Sequence, residues 1–396
     1  MTAIPRLRDY QGPTLLSYGF RPFFLFGALY AGLSVLAWLP MFFGHLELAT
    51  AFTPRDWHVH EMLYGYVAAV VTGFLLTAIP NWTGRLPLQG RPLLALLLVW
   101  GAGRIAVTLS AVIGPVIAMA VDLSFLLLVG AAAAREILAG RNWRNLKVLL
   151  VLAVLSAGNA TFHLESLHAG VATYGIRIGF AAVVLLIMLV GGRIVPSFTR
   201  NWLVRANPGP LPAPFGRFDI VAMVIAALAV TFWVVAPDAP LTGAALVAAA
   251  ILHATRLARW AGHRTARDPL VMILHVGYLF VPVGFALLAA AAYGTVPPSA
   301  GLHAWAAGAV GVMTLAVMTR ASLGHSGRAL TASPATQAIY ALAVTSALAR
   351  LCAALEPQWS TVLLHVAAAA WAAAFLGFAV AYWHVLAGRR PATQAA

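Results

Sequence analysis

Charged side chains are scarce in this 396-residue chain. They make up 9% of it, against roughly 25% in soluble proteins. Hydrophobic residues reach 62% and the mean hydropathy is +0.87. A water-soluble surface cannot be built from that composition, so the chain reads as an integral membrane protein. Cysteine is nearly absent. Cys352 stands alone, which excludes internal disulfides, a Cys-ligated iron–sulfur cluster and a two-Cys haem attachment site. Any redox metal must therefore be carried by histidine, of which there are 12. Lysine is also missing but for Lys147, while arginine is plentiful and the formal net charge is +14. In a soluble protein that charge suggests a nucleic-acid partner. In a membrane protein the first question is which side of the bilayer carries it.

Crossing ~30 Å of hydrocarbon takes ~20 apolar residues. Twelve runs qualify, at about 20–43, 57–80, 92–112, 115–135, 146–167, 173–195, 218–236, 240–260, 269–292, 302–320, 334–354 and 360–386. Aromatic residues gather near many of their ends, as interfacial belts do. The first 19 residues are polar, carry Pro5, Arg6 and Arg8, and do not read as a signal peptide. The expected fold is an all-α, polytopic, single membrane domain over 1–396. Spans one to six occupy about 20–195 and seven to twelve about 218–386. A Pro-rich loop, 196–217, divides them six and six, either as a linker or as a stiff connection.

Basic residues alternate with the spans. The end holding the N-terminus carries Arg6, Arg8 and Arg21, then Arg85 and Arg91, then Arg135, Arg141, Arg144 and Lys147. Arg193, Arg200, Arg205 and Arg217 follow there, then Arg256, Arg259, Arg264 and Arg267, Arg320 and Arg328, and Arg389 and Arg390. That is 21 of 25 basic residues on one side, against Arg55, Arg177 and Arg350 on the other. The positive-inside rule makes the rich side cytoplasmic, with both termini there. The charge is then topology and needs no nucleic acid. No tandem repeat of 20–50 residues is visible, and the first six spans do not pair with the last six.

Charge inside a membrane is costly and is usually paired or functional. Arg104 in span three and Asp122 in span four lie equally far from the turn near Ile113, at one depth. They form an expected buried ion pair, a clamp between adjacent helices or part of a proton path or haem-propionate contact. The histidines divide by depth. His58, His60, His163, His168, His45, His303 and His365 fall toward the outer face. His253, His275, His384, His263 and His325 fall toward the cytoplasm, the last two of these near loops with His263 and His325 outside any span. Each alone could be a hydrogen-bonded core or interfacial imidazole. Trp57-His58-Val59-His60-Glu61 is denser than that, with two imidazoles and a carboxylate in four residues. On a continuous helix His58 and His60 are ~200° apart and serve different centres, unless that turn is extended. His58 and Glu61 would share a face. Asn159, His163 and Ser166 form a polar stripe on span five. Together with His303 these imidazoles suit copper or haem iron in the outer half of the membrane. Arg193 and Arg320 sit at the cytoplasmic edge among hydroxyls, where they serve as positive-inside anchors or as an anion or propionate site.

At these residues the sequence resembles the NnrS family nearly end to end. The likeness runs through Phe20-Arg21-Pro22-Phe23-Phe24, then from Trp57, His58, His60, Glu61 and Met62 to Pro80-Asn81-Trp82-Thr83-Gly84. It continues in Asn159 with Phe162-His163-Leu164-Glu165, in Arg193 to Trp202, and in Asp268-Pro269 through His275. It ends in Met313 to Ala321 with Gly324-His325 and Gly327-Arg328, where Ser326 stands in place of an expected Thr. The resemblance implies a bacterial inner-membrane protein that carries haem b and copper and protects against nitric oxide. By motif it makes His58, His60, His163, His275, His303 and His325 metal-ligand candidates, with Glu61 as the proton-delivering or ligand-orienting group. It implies nitric oxide as ligand or substrate, reaching the site through the lipid bilayer. Reduction would make the protein a nitric oxide reductase-type oxidoreductase drawing electrons from a quinol or an external donor. Two other classes stand beside it: a twelve-helix transporter, and an accessory protein that handles metal or haem without turnover.

Overall fold

The computed structural model describes residues 10–389, and among these it is all helix and turn, without strands. Twelve helices are long and apolar enough to cross a membrane. They are α1 (Phe20–Phe42), α2 (Pro54–Thr83), α3 (Arg91–Thr108), α4 (Pro115–Ala139), α5 (Trp143–Ala169) and α6 (Tyr174–Ala206). Then come α7 (Arg217–Val235), α8 (Pro240–Arg264), α9 (Pro269–Ala292), α10 (Pro298–His325), α11 (Pro334–Leu355) and α12 (Pro357–Leu386). Proline occupies the first turn of many of them, Pro54, Pro115, Pro240, Pro269, Pro298 and Pro334 included. There its missing N–H costs nothing and its fixed φ fits the helix. Side-chain caps add to this. Thr53 accepts from Asp56 N–H, Asp268 from Leu270 N–H and Ser333 from Thr336 N–H.

Several boundaries differ from the apolar runs. α6 continues to Ala206 with Pro196 inside it, so the connection to α7 is 207–216 and not the whole of 196–217. Helical hydrogen bonding does not stop where hydrophobicity does. For the same reason α2 starts at Pro54 and α10 runs from Pro298 to His325, which takes His325 out of a loop and into the last turn of a helix. His263 lies in a 3₁₀ turn closing α8.

Two helices change character part-way. In α2, an α-helical Pro54–His60 gives way to a π-helix at Glu61–Val67, then to α-helix again from Ala68. In α10, Pro298–His303 is followed by a π-helix at Ala304–Val312. Each wide segment begins directly after a histidine. Such π segments are rare and concentrate at functional sites.

The contacts divide the chain into two compact units. The first holds the chain up to Gly179, with Arg320–Ala329 and the segment from Phe375 on. The second holds Phe180–Thr319 and Leu330–Ala374. In lipid, apolar burial drives little helix association, and close packing and interhelical hydrogen bonds do the holding, at ~0.6 kcal/mol per bond on average. In the first unit Phe20 N–H donates to Thr77 Oγ1 (3.1 Å) and Trp100 Nε1–H to Gly65 O (3.0 Å). Arg21 donates to the last carbonyls of α12, Val385 O (3.1 Å) and Leu386 O (2.7 Å). Glu165 accepts from Thr173, Tyr174 and Gly175 N–H at 2.8–2.9 Å, capping the start of α6. In the second unit Trp305 packs edge-on to Trp233 and Phe285, and Ser346 Oγ donates to Ala367 O (2.8 Å).

The helix lengths recur in sets of four rather than six. They run 23, 30, 18 and 25 residues, then 27, 33, 19 and 25, then 24, 28, 22 and 30. In each set the second helix is the most buried. Residue pairs echo the spacing: Asn81-Trp82 and Asn201-Trp202 lie 120 residues apart, as do Thr199-Arg200 and Thr319-Arg320. His60, Gly65 and Gly84-Arg85 are followed 243 residues later by His303, Gly308 and Gly327-Arg328. A period of about four helices is too long for a search at 20–50 residues, and pairing halves of the chain misses it.

Candidate metal centre

The first unit gathers a set of polar side chains in its interior. α1 supplies Tyr30, α2 His60 and Glu61, α3 Arg104, α4 Asp122, and α5 Asn159 and His163. His60 and Glu61 are both 0% exposed although adjacent in sequence. The π segment opening at Glu61 widens the turn between them. Glu61 therefore meets His60, not His58. His60 Nδ1 lies 2.8 Å from Glu61 Oε1. His58 points elsewhere and stacks on Trp38, centroids 4.1 Å apart.

Asp122 is the hub. Its Oδ1 accepts from Arg104 Nη2. Its Oδ2 takes Asn159 Nδ2–H at 2.7 Å, His163 Nε2 at 3.1 Å and His60 Nε2 at 3.3 Å. Asn159 Oδ1 lies 3.0 Å from His60 Nε2. Arg104 also donates to Glu61 Oε1 through Nη1 at 2.5 Å, and Tyr30 Oη donates to Glu61 Oε2. Arg104 can reach both carboxylates because Gly65 is opposite: a Cβ there would lie 2.6 Å from Nη1.

The formal charges at this knot are unequal. Arg104 supplies one positive charge and Glu61 with Asp122 two negatives. Both nitrogens of His60 face acceptors, Glu61 Oε1 and Asn159 Oδ1. A carboxylate or amide oxygen only accepts. A cation entering at Nε2 would displace any proton that this nitrogen donates.

Among the described residues, His60, Asp122 and His163 form a group whose ligand atoms lie within 4.8 Å of one another, all buried. Their nitrogen–oxygen separations of 3.1 and 3.3 Å compare with ~3.3 Å between neighbouring ligands around a cation bound at ~2.0 Å. Two imidazoles and one carboxylate suit copper or zinc. They do not suit a haem. The rings of Phe52, Tyr64 and Phe162 close around His60, with centroids 5.1–5.4 Å away. The adjoining cavity, lined by Phe52, Ser110, His163 and Ser166 among others, has about 210 Å³. That lies below the ~300–1,000 Å³ of ligand-sized pockets. It has room for a diatomic molecule beside His163, not for a macrocycle.

A family profile described as NnrS protein matches residues 14–390. The chain belongs to that family. None of the curated proteins matches it. The remaining family-derived candidates are not members of the triad. His275 and His303 are in the second unit. His275 Nε2 pairs with Thr199 Oγ1 at 2.8 Å, and its Nδ1 is buried against Gly262 without a hydrogen-bond partner. His303 Nδ1 donates to Ser299 O at 2.7 Å. Arg193 is exposed there on α6. In the first unit His325 is exposed and lies 5.8 Å from both the Tyr18 and Phe20 rings, while Arg320 is half-buried near it on α10.

Sequence reasoning treated Asp122 only as the partner of Arg104. Its depth was legible, but its contact with two histidines depends on the rotation of three helices. Tyr30 carried no signal, being one aromatic among many. A second buried knot was also missed. Arg256 is 1% exposed and not an edge anchor. Its Nε donates to Asp219 Oδ1 (2.9 Å) and its Nη1 to Tyr278 Oη (2.9 Å) and Met188 O (3.1 Å). Tyr278 in turn meets His253 Nδ1 at 2.9 Å. Asp219, two residues into α7, was the available signal, since a carboxylate near lipid needs a cation.

Proposed function

We propose that this membrane protein belongs to the bacterial nitric oxide response and binds nitric oxide at a copper ion held by His60, Asp122 and His163. The observation that carries the reading is the convergence of two imidazole Nε2 atoms on Asp122 Oδ2 beside a small cavity. Bound copper would supply a coordination site for a diatomic ligand. The protein's own groups do the rest. Glu61 accepts from His60 Nδ1–H and so presents Nε2 to the ion, as carboxylate partners of ligand histidines do. Asn159 donates to Asp122 and orients it. Arg104 offsets the carboxylate charge, and Tyr30 keeps an O–H on Glu61, where a proton can be held or passed. Phe52 and Phe162 exclude water. Nitric oxide is small and apolar, so it reaches the cavity through the bilayer.

In the fuller reading two nitric oxide molecules, two electrons and two protons give nitrous oxide and water, the electrons coming from a quinol or an external donor. Haem b belongs to this reading as a second group outside the triad, with His275, His303 and His325 as ligand candidates and Arg193 and Arg320 as propionate contacts. The basic loops support an inner-membrane location with both termini in the cytoplasm.

The test is copper content and nitric oxide consumption of the purified protein. Wild type should hold copper, and His60→Ala, His163→Ala and Asp122→Asn should each lose it while His275→Ala and His303→Ala keep it. Copper-free wild type, or copper retained in all three triad variants, would overturn the assignment. Copper without consumption of nitric oxide when quinol is supplied rejects turnover and leaves binding or metal handling.

A further inference from the structure

The family-like segment Pro80–Gly84 takes no part in the metal centre. It frames a second cavity, of about 400 Å³, between the ends of α2 and α4. Leu76, Ile79 and Ala132 line its inner part and belong to membrane-spanning helix. Arg85, Arg135 and Glu136 line its mouth. The framework around it is tied down. Asn142 Nδ2–H donates to Trp82 O at 2.5 Å, and Gly140 packs against Thr83 so closely that a Cβ would lie 2.6 Å from it. Gly84 ends α2 with φ +69, and Arg85, which follows it, lines the cavity.

The mouth has more positive charge than it uses. Glu136 serves both arginines, accepting from Arg85 Nε at 2.5 Å and from Arg135 Nε and Nη2 at 2.9 Å. One carboxylate against two guanidiniums leaves a net single positive charge. Arg85 spends only Nε on Glu136, so its two terminal nitrogens remain for another acceptor. The arginine side chains are 46% and 65% exposed, at the mouth rather than in the core.

We propose that this cavity binds an anionic phospholipid, its phosphate on Arg85 and Arg135 and an acyl chain against Leu76, Ile79 and Ala132. Phosphate fits because guanidinium offers paired N–H donors to its oxygens. The apolar wall running into the membrane favours a lipid over free phosphate. The net charge favours an anion over a neutral quinone head. The size falls within the ligand-binding range, and basic pockets between helices at a membrane edge take acidic headgroups.

The experiment is native mass spectrometry of the full chain in detergent after delipidation. Phosphatidylglycerol and phosphatidylcholine with the same acyl chains are added in turn. Wild type should retain phosphatidylglycerol preferentially, and Arg85→Gln and Arg135→Gln should each reduce that preference about fivefold. Arg141→Gln, a basic residue at the same helix end outside the cavity, should leave it unchanged. The thermal midpoint of each variant, read alongside, separates lost lipid from lost fold. Equal retention of the two lipids, or a preference untouched by both variants, overturns the proposal. Displacement by millimolar inorganic phosphate alone assigns the mouth to a free anion and overturns it. Displacement of phosphatidylglycerol by a quinone does the same in favour of a quinone site.

Discussion

Arg104→Met removes the guanidinium that bridges Glu61 and Asp122 while keeping an unbranched apolar side chain of similar reach. Both carboxylates are at most 2% exposed and have no water to turn to. The lost contacts are Nη1 to Glu61 Oε1 at 2.5 Å and Nη2 to Asp122. Two unit charges at ~4 Å in an effective dielectric of ~20 attract by ~4 kcal/mol. Removing one partner of a buried pair costs ~3–5 kcal/mol, because the other is left charged and unpaired. The two routes agree. Against a typical total of ~5–15 kcal/mol, the variant should be marginal. The cost is one of abandonment, so it should shrink when the abandoned partner goes too. In Arg104→Met/Asp122→Asn the double loss should fall short of the summed single losses by ~1–3 kcal/mol. Unfolding in mixed micelles, followed by circular dichroism across a detergent titration, measures all four proteins. A cost for Arg104→Met below ~1 kcal/mol would refute the reasoning, as would additivity within ~0.5 kcal/mol. Either result would mean that water reaches the knot or that Glu61 and Asp122 are neutral.

Gly65→Ala should push on the same guanidinium from the other side, where a Cβ meets Nη1 at 2.6 Å; a loss of ~1–3 kcal/mol by the same titration is expected, as for other overpacked cores. Gly192→Ala should do this in the second unit, since its Cβ would lie 2.2 Å from Arg256 Nη2, and Arg256→Met should abolish most of that additional cost. Glu165→Gln keeps its shape but loses the charge that meets three N–H groups at the start of α6; a lowering of ~0.5–2 kcal/mol should appear. Copper at a hundredfold excess over its dissociation constant should stabilise wild type by ~2.7 kcal/mol and leave Asp122→Asn unmoved; equal shifts in both proteins would place the ion elsewhere.

The pattern of legible and illegible features has physical reasons. Twelve apolar runs stood out because each must span the hydrocarbon by itself, a property of local composition. Helix ends did not, since α2, α6 and α10 extend past their apolar stretches. The likeness of His60 and His163 to ligands could be read from family motifs, and the depth of Arg104 and Asp122 from their equal distance to one turn. The pairing of Glu61 with His60 could not. It follows from the π segment that begins at Glu61, and nothing in Glu61–Val67 marks that widening in advance. The expected common face of His58 and Glu61 gave way for the same reason, and His58 stacks on Trp38.

By itself the sequence determined that this chain belongs in a bilayer and that twelve of its stretches are long and apolar enough to cross one, and it pointed to histidine for any redox metal. Scarce charge and a single cysteine suffice for those conclusions, because solvent and redox chemistry act on composition. Only the tertiary structure decided which histidines converge. Asp122 Oδ2 receives Nε2 atoms from two other helices, and the angle at which three helices face each other is a property of packing. The same packing turned Arg256 from one of many basic edge residues into the buried partner of Asp219.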